Sequence, residues 1–407
     1  MKQVLKKTPQ IIALFPLSFF ALFTIYVSFR KTNIPIMDDY DSILLYLIEK
    51  PTSFMGSLIW ILKPHNEHLM VIPNLIIQGT HFFFGDINFR FLVIVGLFLL
   101  ICLALVIANT QKKIFGVDLR IFSSLTILNL GLGTVLIWPM GLLQHVATCL
   151  FSFLTILAFN ANSKRAVRVR YFLLSVSCLT GGGSLVLIPI LAIGNVVKKA
   201  FKWRTFFLFS VLLIFTFAAF GANSRHQFPS VSSINLFLYF LGNPFSVLNA
   251  PLFGLIFLLL FIVLVVSLKS DPKQISKNLI FLQVLGFNLS MGIFASISRQ
   301  DYGSTYGSEA KYFLYSALCW VSMLTILYCQ TDVRYSRISQ VTLILFGLLI
   351  FSLSVYSYSG PILELMKIDW IIYPETPEMK AQKILSEASR LGIYIANGKV
   401  RNFWLAE

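Results

Sequence analysis

Long apolar runs cut by short basic clusters decide what this chain can become. A helix needs about 17 to 21 apolar residues to cross the hydrocarbon core of a bilayer. Runs of that kind fall near 11–29, 89–109, 121–137, 141–159, 205–221, 248–268, 278–296, 312–330 and 339–357. Two shorter stretches, Tyr171–Thr180 and Ser184–Val197, flank Gly181, Gly182 and Gly183, which predicts a helical hairpin or re-entrant pair. The predicted fold class is an all-α integral membrane protein with about 11 transmembrane helices. A composition of 57% hydrophobic against 12% charged residues excludes a soluble globular fold.

Charge orients the spans. Lys2, Lys6 and Lys7 precede the first run and place the N-terminus in the cytoplasm. With the remaining loops alternating, the cytoplasmic segments hold 19 of the 33 Lys and Arg residues but only 3 of the 17 acidic ones, so the whole net charge of +16 lies there. The flipped arrangement inverts this balance. Because the basic residues are distributed as short clusters between spans, topology explains them and no nucleic-acid partner is expected. The run Ile11–Phe29 is too long for a signal-peptide core and no small-residue cleavage site follows, which makes it a retained first span. All five cysteines lie in apolar runs, so neither a disulfide framework nor a cysteine metal site is expected. Since Lys, Arg, Asp and Glu all lie outside the spans or at their edges, and no second half repeats the first, ion-coupled transport is disfavoured.

The polytopic domain is assigned to residues 1–357, with a long extracytoplasmic loop at 30–88 and an extracytoplasmic tail at 358–407. Within the loop, Met37 to Leu69 reads MDDYDSILLYLIEKPTSFMGSLIWILKPHNEHL. Ionisable groups stand at both ends, and the residues between predict two short interfacial helices: one capped by Asp41 or Ser42 and running to Leu47, the other over Ser53–Lys63. Leu69–Phe84, interrupted by Pro73, Asn74, Gln78 and His81, is expected to be a partly buried outer helix beneath the site. Trp138–His145 is read as a tight outer joint, and Asn223–Ser233, with Arg225 and His226, as an outer segment. Ser298–Tyr312 carries Arg299, Asp301 and Lys311 among glycines and tyrosines. In the tail, Thr376 as cap, Pro377, and apolar Ala381, Ile384, Leu385, Ala388 and Leu391 before Gly392 predict an amphipathic helix that braces or covers the outer face. Asn397-Gly398 is a candidate hairpin turn.

Three acids in four positions invite acid-base chemistry. Asp38 or Asp39 is the candidate general base, taking a proton from an acceptor hydroxyl as that oxygen attacks an activated carbon; the bland alternative is helix capping and solvated charge. The two are not expected to be equivalent, since a base must reach the acceptor hydroxyl whereas a neighbouring carboxylate orients a group or the loop. His65, Asn66, Glu67 and His68 fit either a polar helix start or a set of hydrogen-bonding groups for a sugar or phosphate. The His-x-x-His spacing puts two imidazoles on one helical face. Two ligands alone do not make a site, so no cofactor is required and a divalent metal stays a minor alternative. Arg299 and Lys311 fit a lipid-linked phosphate at the membrane surface, or simple interfacial snorkelling.

The DDYD after the first span, the HNEHL about thirty residues on, the many spans and a late outer loop ending in Lys311-Tyr312 together resemble the bacterial GT-C-type membrane glycosyltransferases, specifically members carrying an HNEH motif. The resemblance implies a GT-C-like fold in the bacterial cytoplasmic membrane and transfer of a sugar from a polyprenyl-phosphate carrier to a cell-envelope glycan or lipid on the outer face. It implies Asp38 or Asp39 as base, with Asp38 favoured by analogy with the leading acid of the resembled loop, and His65, Glu67 and His68 lining the pocket; Asp41, Asn66, Arg225, Arg299, Lys311 and Tyr312 complete the candidate substrate-binding residues. Similar proteins often have Arg after the HNEH and Arg-Tyr in the late loop, where this chain has Leu69 and Lys311-Tyr312. Rival classes are a non-catalytic carrier of a lipid-linked glycan and a structural protein of envelope assembly.

Overall fold

A computed structural model describes residues 16, 18–27, 33–65, 69–116, 118–161, 163–198, 229–271, 273–330, 336–367 and 378–394. Among them the chain is helical, with no strand. Six helices are long and apolar enough to cross a membrane. In chain order the helices are α1 (Ser18–Val27), α2 (Phe54–Trp60), α3 (Val71–Phe84), α4 (Phe89–Phe115), α5 (Arg120–Ile127), α6 (Pro139–Asn160), α7 (Lys164–Thr180), α8 (Leu187–Val197), α9 (Val231–Leu241), α10 (Ala250–Ser270), α11 (Lys273–Ser298), α12 (Ala310–Gln330), α13 (Ser336–Lys367) and α14 (Glu378–Arg390). The six spanning candidates are α4, α6, α10, α11, α12 and most of α13. They match six of the sequence-predicted runs because nothing but length and apolar composition is needed to specify them.

The other predicted spans fare differently. The run at 121–137 does not form one helix: α5 stops at Ile127, and a 3₁₀ segment Leu130–Leu136 follows. Asn129 makes the break, its amide donating to the Leu125 carbonyl at 3.0 Å while its Oδ1 accepts from Gly131 N–H at 2.9 Å. Close packing against the start of α12 holds the segment. A Cβ on Gly131 would stand 2.1 Å from the Phe313 ring, and Gly133 sits at φ +49°. Irregular backbone at membrane depth is tolerated when it is buried in protein, as this segment is. The run at 205–221 lies outside the described residues, and of 11–29 the helix is described over Ser18–Val27. The described residues therefore hold six helices long and apolar enough to span and several shorter apolar ones, while parts of the predicted set of about 11 lie outside them. The Gly181–Gly183 bend is present, with a 3₁₀ turn Gly182–Val186 between α7 and α8, but α7 starts earlier than expected, at Lys164, where Ser163 caps it. Helix α9, opened by a Ser230/Ser233 capping box, occupies part of the segment read as outer loop.

Side-chain contacts sort the helix ends into two groups. At one end Asp39 meets Met140, Gly133 faces Ala310 and Tyr358, Asn243 reaches Gly307 and Glu309, and Ser233 reaches Gln300. The opposite end joins Gln340 to Asp118, Asn160 to Gln283, Lys198 to Phe159 and Ser267 to Gln330. Lys112, Lys113, Arg120, Lys164, Arg165 and Arg168 belong to this second end. There the Arg120 guanidinium forks onto the Asp118 carboxylate and holds its pKa below the ordinary value despite partial burial.

Above the main core, the first loop and the tail build a second apolar core. Tyr40, Ile43, Leu44 and Leu47 from the loop interleave with Ala381, Ile384, Leu385 and Ala388 of α14 and with Met140 and Leu143 of α6. Polar ties lock the same seam. Tyr394 donates to the Asn33 carbonyl at 2.7 Å, Asn33 Oδ1 accepts from Phe89 N–H at 2.7 Å, and Ile87 N–H donates to the Ile393 carbonyl at 2.8 Å. The expected brace is thus packed directly onto the loop; its Thr376 cap and the Asn397-Gly398 turn lie outside the described residues.

Candidate functional site

The loop reaches the site through one strained residue. Met37 has φ +55°, and it is the single non-glycine residue with positive φ among those described. That left-handed conformation disfavours a side chain and persists only where the surroundings enforce it. Directly after it the chain winds into a π-helical turn, Tyr40–Leu45, continuing as one α-turn through Ile48. Neither Asp41 nor Ser42 caps this helix, contrary to the sequence expectation. Instead the Asp38 carbonyl gathers the Asp41 N–H at 3.1 Å, the Ser42 N–H at 2.8 Å and the Ser42 hydroxyl at 2.7 Å. The i-to-i+4 closure therefore starts at Asp38, three residues before Asp41, and the acid side chains are left for other work.

The three acids then separate. Asp39 is fully buried: Oδ2 accepts from Ile36 N–H at 2.9 Å and Oδ1 from Met140 N–H at 3.2 Å. Its carboxylate thus closes the tight Ile36–Asp39 turn and caps the N-terminus of α6, where the helix dipole favours negative charge. Asp41 pairs with Lys380 of α14 at 2.8 Å. Asp38 is only partly buried; its Oδ2 lies 3.3 Å from His65 Nε2, and its Oδ1 is shielded yet has no hydrogen-bond partner among the described residues. An ionised carboxylate only accepts, so a hydrogen bond across this contact is one that His65 Nε2 donates. Asp38 Oδ1 keeps acceptor capacity that the described residues do not use.

His65 is carried to that position by a fixed strand of loop. Asn74 on α3 is buried and its amide donates to the carbonyls of Ile61 at 3.0 Å and Lys63 at 3.1 Å. Trp60 Nε1 donates to the Tyr46 carbonyl at 2.8 Å, and Gln78 donates to the Tyr46 hydroxyl at 2.6 Å. Burial pushes the Tyr46 phenol up to about 12, with the Gln78 bond pulling the other way, so it stays protonated. The predicted helix Ser53–Lys63 is shorter, Phe54–Trp60, with Ser53 as its cap. Not one of its residues is buried; Phe54, Met55, Leu58 and Ile59 all face outward, as an interfacial helix requires.

Asn66, Glu67 and His68 lie outside the described residues, as does Arg225. Of the remaining candidates, Lys311 and Tyr312 open α12. Lys311 pairs with Glu309 at 2.9 Å, bonds the Tyr306 hydroxyl and stands 4.3 Å from the Tyr306 ring centroid. Arg299 lies over the Tyr302 ring. This cluster sits at the same end of the bundle as Asp38, because the 3₁₀ segment that leads into α6 also packs on Ala310 and Phe313 of α12.

Sequence reasoning missed two residues between these clusters. Trp138, just before α6, lies with its ring against Gly141, where a Cβ would come within 2.3 Å, and its indole N–H has no hydrogen-bond partner among the described residues. His145 is no part of an outer joint; it lies inside α6, its Nδ1 3.1 Å from the Tyr315 hydroxyl of α12. A histidine in an otherwise apolar helix was the available signal. Among the described residues no three His, Cys, Asp or Glu side chains stand together as metal ligands. The chain matches no protein-family model, no curated protein and no solved structure.

Proposed function

We propose that this protein is a membrane glycosyltransferase of the GT-C type, moving a sugar from a polyprenyl-phosphate carrier to an envelope glycan or lipid on the outer face of a bacterial cytoplasmic membrane. The observation that carries the reading is Asp38: a carboxylate with one oxygen on His65 and the other shielded and without a hydrogen-bond partner among the described residues, on a loop packed at the end of a helical bundle. In the reaction, the acceptor hydroxyl oxygen bonds to the anomeric carbon, the bond from that carbon to the phosphate oxygen breaks, and polyprenyl phosphate leaves with the electron pair. The hydroxyl proton passes to Asp38 Oδ1. His65 steadies the carboxylate from its other oxygen, and Asp39 holds the loop.

Arg299 and Lys311 supply positive charge for the phosphate; at Lys311, which pairs with Glu309, a phosphate exchanges one anion for another. Full-length protein in lipid nanodiscs, given polyprenyl-phosphate sugars and short envelope glycans, is expected to yield a glycoside detectable by mass spectrometry. Movement of the donor across liposomes with no glycosidic bond formed identifies a carrier instead and overturns the proposal.

A further inference from the structure

The α7–α8 pair enters and leaves at one end of the bundle. Helix α7 starts at Lys164 with Ser163 as its cap, and α8 closes on Lys198, whose amine donates to the Phe159 carbonyl at 3.4 Å, so both feet stand at the basic end. The tip between them is the Gly181–Gly183 bend. A Cβ on Gly181 would stand 2.6 Å from Thr148 Oγ1 of α6, and one on Gly183 would stand 2.3 Å from Met291 Sδ of α11. Because Thr148 comes nine residues after Pro139, the tip meets α6 about 13 Å below its outer end. The hairpin stops partway up the helix it packs on.

Outward of that contact, one side of α6 is polar. Gln144 and His145 are half-buried, while Leu142, Leu143, Val146 and Ala147 beside them are fully buried. They precede Thr148 by four and three residues, which puts both on its side of the helix. His145 Nδ1 lies 3.1 Å from the Tyr315 hydroxyl, the two rings stand perpendicular, and the Thr148 hydroxyl adjoins the same group. The imidazole is held at a fixed angle. One turn outward of Tyr315 on α12, the half-buried Tyr312 makes no hydrogen bond through its hydroxyl among the described residues, and the Gln144 amide makes none either. Polar side chains in a spanning helix are costly against lipid, so they mark a bundle-facing site.

The chemistry of the set says what suits it. Helix α6 carries no Lys, Arg, Asp or Glu, so this side offers an amide, an imidazole and hydroxyls, groups that both donate and accept. Sugar hydroxyls do the same. Lys311, its amine 5.5 Å from the Tyr312 ring centroid, stands in the first turn of α12, where an anion is matched by charge. A sugar joined to a phosphate fits this order, with the phosphate at the rim and the sugar beneath it.

We propose that Gln144, His145 and Tyr312, outward of the glycine tip of the α7–α8 hairpin, form the subsite for the sugar ring of a lipid-linked glycosyl phosphate and decide which sugar is accepted. The choice of that ligand rests on the transferase reading; selective binding of its sugar requires no transfer. The test is equilibrium binding to the full chain in nanodiscs of polyprenyl phosphates bearing glucose, mannose, galactose or N-acetylglucosamine. The reference is the polyprenyl methyl phosphodiester, which has the same charge and no sugar. At least one sugar-bearing lipid is expected to bind roughly tenfold tighter than the reference, the scale of one or two hydrogen bonds. Gln144→Leu and His145→Phe are each expected to weaken that lipid roughly three- to tenfold and to leave the reference within about twofold. On the unaltered protein, deleting single hydroxyls from the bound sugar is expected to cost a similar factor at one position or more, an effect that no misfolded variant can mimic. Asp38→Asn is expected to keep the preference after transfer has ceased. The proposal is overturned if no sugar-bearing lipid binds tighter than the reference, or if Gln144→Leu and His145→Phe bind it as the parent does. If the preference is present and falls in both variants, yet no acceptor yields a glycoside, the subsite stands and the transferase reading falls.

Discussion

Asp38 and Asp39 are one residue apart and chemically identical, yet the fold gives them opposite work. Asp39 is sealed in with both oxygens on backbone N–H groups, one of them that of Met140, 101 positions later in the chain. Asp39→Ala leaves those donors buried and unsatisfied and uncaps α6, a loss of about 1–3 kcal/mol. It is expected to lower the thermal midpoint in a nanodisc melt, whereas Asp38→Asn is expected to leave that midpoint within a degree or so. A fall of equal size in both variants contradicts the division of labour. The sequence offered the acidic trio as candidates, with Asp38 favoured by resemblance, but it did not show their separate surroundings. Those depend on Met140 and Lys380, which are brought to the loop only by tertiary packing. Nor did it show the left-handed Met37, since methionine carries no local signal for that backbone.

At the scale of elements, α14 and the first loop behave as one unit. Their seam is mostly apolar, so its two kinds of contact are expected to differ in weight. Lys380→Ala removes a partly exposed ion pair, worth about 1 kcal/mol or less. Ile384→Ala empties a buried position against the loop, at about 2–5 kcal/mol. Hydrogen exchange over residues 36–48 is therefore expected to accelerate strongly in Ile384→Ala and little in Lys380→Ala; the reverse order shows that charge holds the brace. The amphipathic period of α14 was legible, as were the six long spans, because each is written in local composition. The break after Ile127 was not legible. The apolar run passes straight through it, and only the approach of Phe313 explains why Gly131 and Asn129 bend the chain there.

For the whole molecule, the segregation of contacts into two ends agrees with the charge pattern. Reporter fusions near residues 165 and 273 are expected to report cytoplasm, and fusions near 60, 305 and 390 the outer side; a cytoplasmic fusion at 390 contradicts the topology. The Asp118–Arg120 fork at the basic end adds a pH dependence. Its carboxylate pKa is depressed in the folded protein, so the stabilisation is present above the unfolded carboxylate value, near about 4, and is lost as pH falls through the folded value. Asp118→Asn is expected to flatten the acid limb of a melting-temperature profile below about pH 4 and to change little at neutral pH relative to that limb.

The central claim is that Asp38 takes the acceptor proton. Its most direct test is single-turnover transfer from a radiolabelled polyprenyl-phosphate sugar, comparing parent and Asp38→Asn in nanodiscs with donor binding measured in parallel. The account predicts a loss of roughly 10²- to 10⁴-fold in the transfer step with donor affinity little changed. Near-normal transfer by Asp38→Asn contradicts it.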